Sequence, residues 1–303
     1  MGMQADLLID RQRLKRHLTL WRAGAVLAVV ALLAALFGGL GGGSTGRSSG
    51  HVARLDLRGF IHDDHKLNEA LDRLRRDASV RAVLVAIDSP GGSVGGGEAL
   101  FAALSAIQAT KPVVAVMGGT AASAAYMAAL PAERIFAREM SITGSIGVLL
   151  QSVEFSELLA RLGVRGEALT SGPLKDQPSL FHPLSPEGRA VLQGVIADLH
   201  AQFVQKVATA RHLAPEVVGP LADGRVFSGR QALALGLVDA LGGEAEARAW
   251  LAAEKGIAET LPVRPVETRG RLERLLQSSA STVVKSVVSE WLGVDGFRLL
   301  WQP

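Results

Sequence analysis

Residues 80–87 read Val-Arg-Ala-Val-Leu-Val-Ala-Ile, with one charge among eight positions. The run is too short for an ordinary helix and is bounded by turn formers, Asp77-Ala78-Ser79 before it and Asp88-Ser89-Pro90-Gly91-Gly92 after it. A nearly continuous apolar run of this kind suits a strand covered on both faces, and such strands belong to parallel sheets flanked by helices. The flanking sequence agrees. Residues 52–57 alternate like a half-buried strand, and residues 66–76 set Leu67, Leu71 and Leu74 at helical spacing. A helix runs on to Ile107, and residues 112–116 form another apolar strand. Strand, helix, strand, helix, strand and helix in succession predict an α/β fold.

Further along, the pattern predicts a strand at 134–137, a glycine-punctuated turn at 142–147 and strands at 148–150 and 164–169 around a helix at 155–162. Residues 170–176 read as a loop. Ser185 is a good N-cap for a long helix over 186–212, and Ser228 for one over 229–235. A short strand at 237–239 precedes a last helix. No period of 20–50 residues repeats, which excludes a solenoid.

The N-terminus is of another kind. Residues 1–22 carry five Lys/Arg against two acidic residues, which accounts for the whole formal net charge of +3. The charge-balanced remainder offers no electrostatic case for nucleic acid. Residues 23–40 contain no charge and as a helix would rise roughly 27 Å, enough to span a hydrocarbon core. The basic flank keeps the N-terminus cytoplasmic and sends the body outside. The rival is a cleavable signal peptide, but no clean Ala-x-Ala site follows. The expected organisation is a basic tail (1–22), a transmembrane anchor (23–40), a Gly/Ser tether (41–51), a globular domain (52–255) and a C-terminal tail (256–303). Apolar residues at Leu272, Leu275, Leu276, Val283, Val284, Val287 and Val288 give that tail a peripheral or amphipathic helix. There are no cysteines, so thiolate chemistry and Cys-type zinc sites are excluded.

The candidate chemistry starts after the strand at 112–116. Gly118-Gly119 allows a sharp turn, small residues follow, and Ser123 stands at the mouth of a helix. That arrangement presents a nucleophile beside unpaired backbone amides, though Ser is also a common helix cap, and both readings stay open. No histidine sits in a recognisable triad context. Lys175, approached through Gly172-Pro173-Leu174, is the better base if its ammonium is desolvated, although Asp176 next to it favours the charged form. Ser145, in its glycine turn, has a hydroxyl able to hold a lysine amine, or serves the turn alone. Gly91-Gly92 puts bare amides at the carboxyl end of a strand, where α/β folds place ligands; such amides complete an oxyanion hole with the amide of Ala124 or cradle a phosphate, although no Gly-x-x-x-x-Gly-Lys-Ser/Thr pattern supports a P-loop. His62-Asp63-Asp64-His65 has the look of a metal cluster, but Asp63 and Asp64 also suit a helix N-terminus.

Together these stretches resemble the serine–lysine signal peptide peptidase family (SppA type) of the Clp-protease/crotonase-like superfamily. The resemblance covers roughly residues 52–250. It rests on Asp88-Ser89-Pro90-Gly91-Gly92, on 119–126 around Ser123, on Thr143-Gly144-Ser145-Ile146-Gly147, on 171–176 ending in Lys175-Asp176, and on Asp223-Gly224-Arg225-Val226-Phe227. Each is weak alone, and five in the family's order are strong. The resemblance implies a repeated ββα superhelical core with Ser123 as nucleophile, Lys175 as general base and Ser145 orienting the lysine. It implies oxyanion or substrate contacts at Gly92, Ala124 and Gly91, no metal and no cofactor. The expected activity is hydrolysis of apolar peptides, such as signal peptides left after secretion, by a homo-oligomer held at the outer side of the cytoplasmic membrane. Ala124-Ala125 departs from the more usual Gly-Gly and predicts a narrower cleft wall. Two rivals share the fold: a crotonase-like acyl-CoA enzyme, disfavoured by an exported body, and a non-catalytic membrane-tethered scaffold.

Overall fold

The computed structural model describes residues 21, 22, 24–26 and 50–267. Residues 21, 22 and 24–26 are helical and exposed. The rest of the expected anchor, and the helix expected in the C-terminal tail around Leu272 to Val288, lie outside the described residues. Among the described residues no helix is long and apolar enough to cross a membrane.

The body runs β1 (His51–Ile61), α1 (His65–Arg76), β2 (Val80–Gly92), α2 (Val94–Gln108), β3 (Val113–Ala122), α3 (Ala124–Ala129), β4 (Arg134–Ala137) and β5 (Ile142–Gly144). Then come α4 (Ser156–Arg161), α5 (Pro186–Arg211), α6 (Pro215–Val218), β6 (Val226–Ser228), α7 (Gly229–Ala234), β7 (Ala240–Leu241), α8 (Glu244–Lys255) and β8 (Val263–Pro265). This is an α/β fold on one mixed sheet. Its main path is β6-β5-β3-β2-β1-β8, parallel except for the antiparallel β5–β6 pair. β3 is a branch point: residues 114–117 pair with β4, which pairs with β7, while residues 120–122 pair with β5. Ser141 fills the fork, its buried hydroxyl donating to Gly118 O at 2.5 Å while accepting from Arg138 N at 3.0 Å.

The central strands are covered on both faces, as their composition demands. Val83, Val85 and Ile87 of β2 join the core shared with Leu71, Leu104, Tyr126 and Phe203, whereas Ala82 and Leu84 face Ala247 and Leu251 of α8. β8 lies in the stretch assigned to the tail and pairs with Val52–Arg54.

Three expectations are corrected. β2 continues through Asp88–Gly92 and β3 through Gly119–Ala122, stretches read as turns, because β1 and β5 provide partners that carry the ladders past the glycines. Residues 148–150 and 164–169 are not strands; a few apolar residues make no strand without a ladder, and no sheet edge reaches them. The strand expected at 237–239 falls at Ala240–Leu241, because Leu237 and Val238 are buried in the core beside α7. At α1, Asp64 is the N-cap, accepting from the amides of Lys66 and Leu67 at 2.9 and 3.2 Å. Asp63 accepts from Asn68 Nδ2 and His65 contacts Glu69. Among the described residues no group of three or more His, Asp or Glu side chains is arranged to hold a metal ion.

Candidate active site

Ser123 joins β3 to α3 in a conformation few L-residues adopt, with φ 54° and ψ −122°. Such a backbone costs about 1–3 kcal/mol and persists only where its surroundings enforce it. The enforcement is visible on both sides. The Ser123 amide donates to Gly144 O at 2.9 Å, and its carbonyl accepts from Met127 N at 2.9 Å. Three residues on, Tyr126 is fully buried and its hydroxyl donates to Leu237 O at 2.9 Å; burial pushes that phenol well above its ordinary pKa. The Ser123 side chain makes no capping bond, so capping does not explain it. A half-buried hydroxyl on a strained strand-to-helix corner is placed for attack.

Opposite it runs Gly91, with φ +120°. A Cβ there would stand 2.9 Å from Ser123 Cβ, 3.0 Å from Ala122 O and 3.4 Å from Ala124 N. Gly92 lies so close to Ile61 that a side chain would collide with the Ile61 carbonyl. The Gly91 amide is engaged by Ser89 Oγ at 3.1 Å, so Gly91 contributes close approach, and the Gly92 amide is left as the candidate donor. Ala124 is buried, and its methyl rests on Gly97 of α2, where any added Cβ would come within 2.9 Å.

Ser145 also has positive φ, 50°, and its amide donates to Arg225 O at 2.8 Å. A cavity of about 940 Å³ brings Ser123, Ser145, Gly91, Gly92 and Ala124 to one place. Its walls are largely apolar, with Phe60, Val94, Met127, Leu149, Ile196 and Phe203 prominent.

Lys175 is not among the residues lining this cavity. It is exposed in a turn where its amide donates to Gly172 O at 3.1 Å. The neighbouring Asp176 carboxylate accepts from Ser179 Oγ at 2.8 Å and pairs with His182 Nε2 at 2.9 Å. The five expected residues of the cleft are thus assembled within one protomer and the expected base is apart from them.

Two titratable side chains in the cavity lining carried no role in the sequence reading. Asp223 is held by Arg225, whose hydrogen bonds pull the carboxylate down to about 2. His200 of α5 donates Nε2–H to Ala222 O at 2.6 Å, which leaves Nδ1 as the acceptor. His200 stands four residues after Ile196 on the same helix, and that spacing was the available signal. Along α5, Ile196 and Leu199 line the cleft, Phe203 both lines it and enters the core, Val207 is core, and Val195 is exposed.

Residues 105–258 match the model of peptidase family S49. A Synechocystis sp. protein that carries the name of a protease is 40% identical over 208 residues, covering 68% of this chain and 75% of its own. An Enterococcus faecium protein that carries the name signal peptide peptidase SppA is 30% identical over 264 residues, covering 82% of this chain and 74% of its own. Among solved structures, a membrane-bound stomatin-specific protease aligns over 72% of this chain and 98% of its own, with TM-score 0.46 and 15% identity.

Proposed function

Starting from the fact that the chain belongs to peptidase family S49 and is a serine peptidase, we propose that it is a membrane-anchored endopeptidase using a Ser123–Lys175 dyad. The observation that carries the nucleophile is the uncapped Ser123 hydroxyl on its strained corner, facing Gly91 across an apolar cleft. In this reading Ser123 Oγ bonds to the scissile carbonyl carbon as neutral Lys175 Nζ takes its proton. The amides of Gly92 and Ala124 receive the oxyanion, and the lysine returns the proton to the departing amine. Water, giving a proton to the same lysine, then bonds to the acyl carbon, and the Ser123 Oγ–acyl bond breaks as the lysine returns that proton to Oγ. Ser145 would hold the lysine amine.

The apolar cleft walls support peptides of membrane origin as substrates, released signal peptides among them. The uncharged stretch 23–40 supports the anchor, with the body on the outer side of the cytoplasmic membrane. A Clp/crotonase-like superhelical core is part of the same reading. The placement of Lys175 outside its own cleft, on a segment carrying exposed Val153, Phe155, Leu162 and Leu169, supports a homo-oligomer in which one protomer's lysine serves its neighbour's serine. One observation favours a second base: His200 lines the cleft in the same chain with Nδ1 available. Covalent labelling of the full chain by an acylating serine reagent, with Ser123→Ala as control, tests the nucleophile; equal labelling of the variant would sink it.

A further inference from the structure

Where β2 nears its end, both of its ladders break step. The β1–β2 register shifts between Arg58 and Phe60, and the β2–β3 register shifts between Ile87 and Ser89. Gly59 at the first irregularity has φ +67°, and Gly91 beyond it has φ +120°. Backbone groups at such bulges lose their ladder partners and need substitutes. Asp88 supplies one on the β3 side, its carboxylate accepting from Thr120 N at 3.0 Å. Ser89 supplies two on the other. Its fully buried hydroxyl donates to Gly59 O at 2.6 Å and accepts from Gly91 N at 3.1 Å. A hydroxyl is the smallest side-chain group that can do both at once.

We propose that Ser89 is a positioning residue for catalysis, a side-chain rung that fixes the Gly91–Gly92 backbone against Ser123 and so sets where the oxyanion is held. This rests on the reading of Ser123 as nucleophile and of the Gly92 amide as oxyanion donor. The coupling is steric as well as polar, because Gly91 runs so close to Ser123 and the backbone on either side of it that there is no room even for a β-carbon between them. Thr at 89 would force a methyl into a closed site. Ala would leave the buried Gly91 amide without its acceptor and would cut the tie to the Gly59 carbonyl, freeing the strand end to drift.

The test compares transition-state and ground-state binding in the full chain. For Ser89→Ala, kcat should fall about tenfold or more, less than the 10²–10³ lost with an oxyanion donor itself, while KM stays within about twofold. A peptide aldehyde, whose adduct with the serine places an oxyanion in the hole, should lose affinity by the same factor as kcat. The matching peptide alcohol should bind as before. Ser89→Cys, isosteric but a weaker partner, should fall between and carries the comparison if the alanine variant does not fold. Wild-type kcat in a folded variant with a lowered Tm, or equal weakening of aldehyde and alcohol, would overturn the proposal by reducing Ser89 to a structural role. Failure of the underlying reading looks different: Ser123→Ala would then hydrolyse peptide whatever Ser89 does.

Discussion

Gly91 faces Ser123 across the cleft, so close that a β-carbon on the glycine would sit 2.9 Å from that of the serine. Gly91→Ala would meet this contact and a φ of +120° together. Its kcat/KM should fall by about two orders of magnitude, the scale of a displacement of about 1 Å at a reacting centre. Steady-state kinetics beside a melting curve checks this; a folded Gly91→Ala enzyme with wild-type kcat/KM would show that the approach is incidental.

Ser123→Ala and Lys175→Ala should each abolish peptide hydrolysis, and the double variant should be scarcely worse than either, since members of one catalytic unit fail together. His200→Ala should keep most of the activity. The reverse outcome, activity retained in Lys175→Ala and lost in His200→Ala at neutral pH, assigns the base to the histidine.

Mixing inactive Ser123→Ala with inactive Lys175→Ala protein should restore activity, because some interfaces then receive both residues. Recovery is read as turnover after subunit exchange. Its absence, with exchange demonstrated by labelled subunits, would place serine and lysine in one chain.

Tyr126→Phe removes the hydroxyl that donates to the buried Leu237 carbonyl. Leaving that acceptor unmet should cost about 1–3 kcal/mol, seen as a Tm lower by about 2–12 °C. No change in Tm would mean that α3 is held by packing alone.

His51 is buried, and its imidazole is pushed below 6.5 first by burial and then by Arg264. The folded protein therefore binds this proton less readily than the unfolded chain. The resulting stability is fully present above about 6.5 and is lost as pH falls through that value toward the folded pKa. Urea midpoints should drop between neutral and mildly acidic pH, and His51→Gln should flatten that drop. Parallel curves for the two proteins would rule out this linkage.

Much of the fold was legible because burial writes itself into composition. Residues 80–87 announced a strand covered on both faces, Ser185 and Ser228 stand as N-caps as expected, and β4 falls at 134–137. What escaped was whatever depended on a partner distant in sequence. The strand character of Gly91 and Gly92 comes from Phe60 and Ile61, and the role of Ser89 from Gly59 thirty positions away. At the site, Ser123, Ser145 and the glycines were found through turn chemistry. His200 was not: its spacing from Ile196 sets both on one face of α5, but which face of that helix meets the cavity is decided by elements distant in sequence.

Between positions 149 and 181 the chain buries a single residue, Ser179. Fixing a backbone costs about 1–2 kcal/mol per residue, and this segment, which carries Lys175, buries little within its own protomer to offset it. On the proposed reading the base therefore takes its working position from contacts made by neighbouring copies. A protomer diluted in the bilayer would be dormant, and crowding would switch it on. Turnover would then rise more steeply than linearly with surface density, and a cell would hold proteolysis in check through copy number.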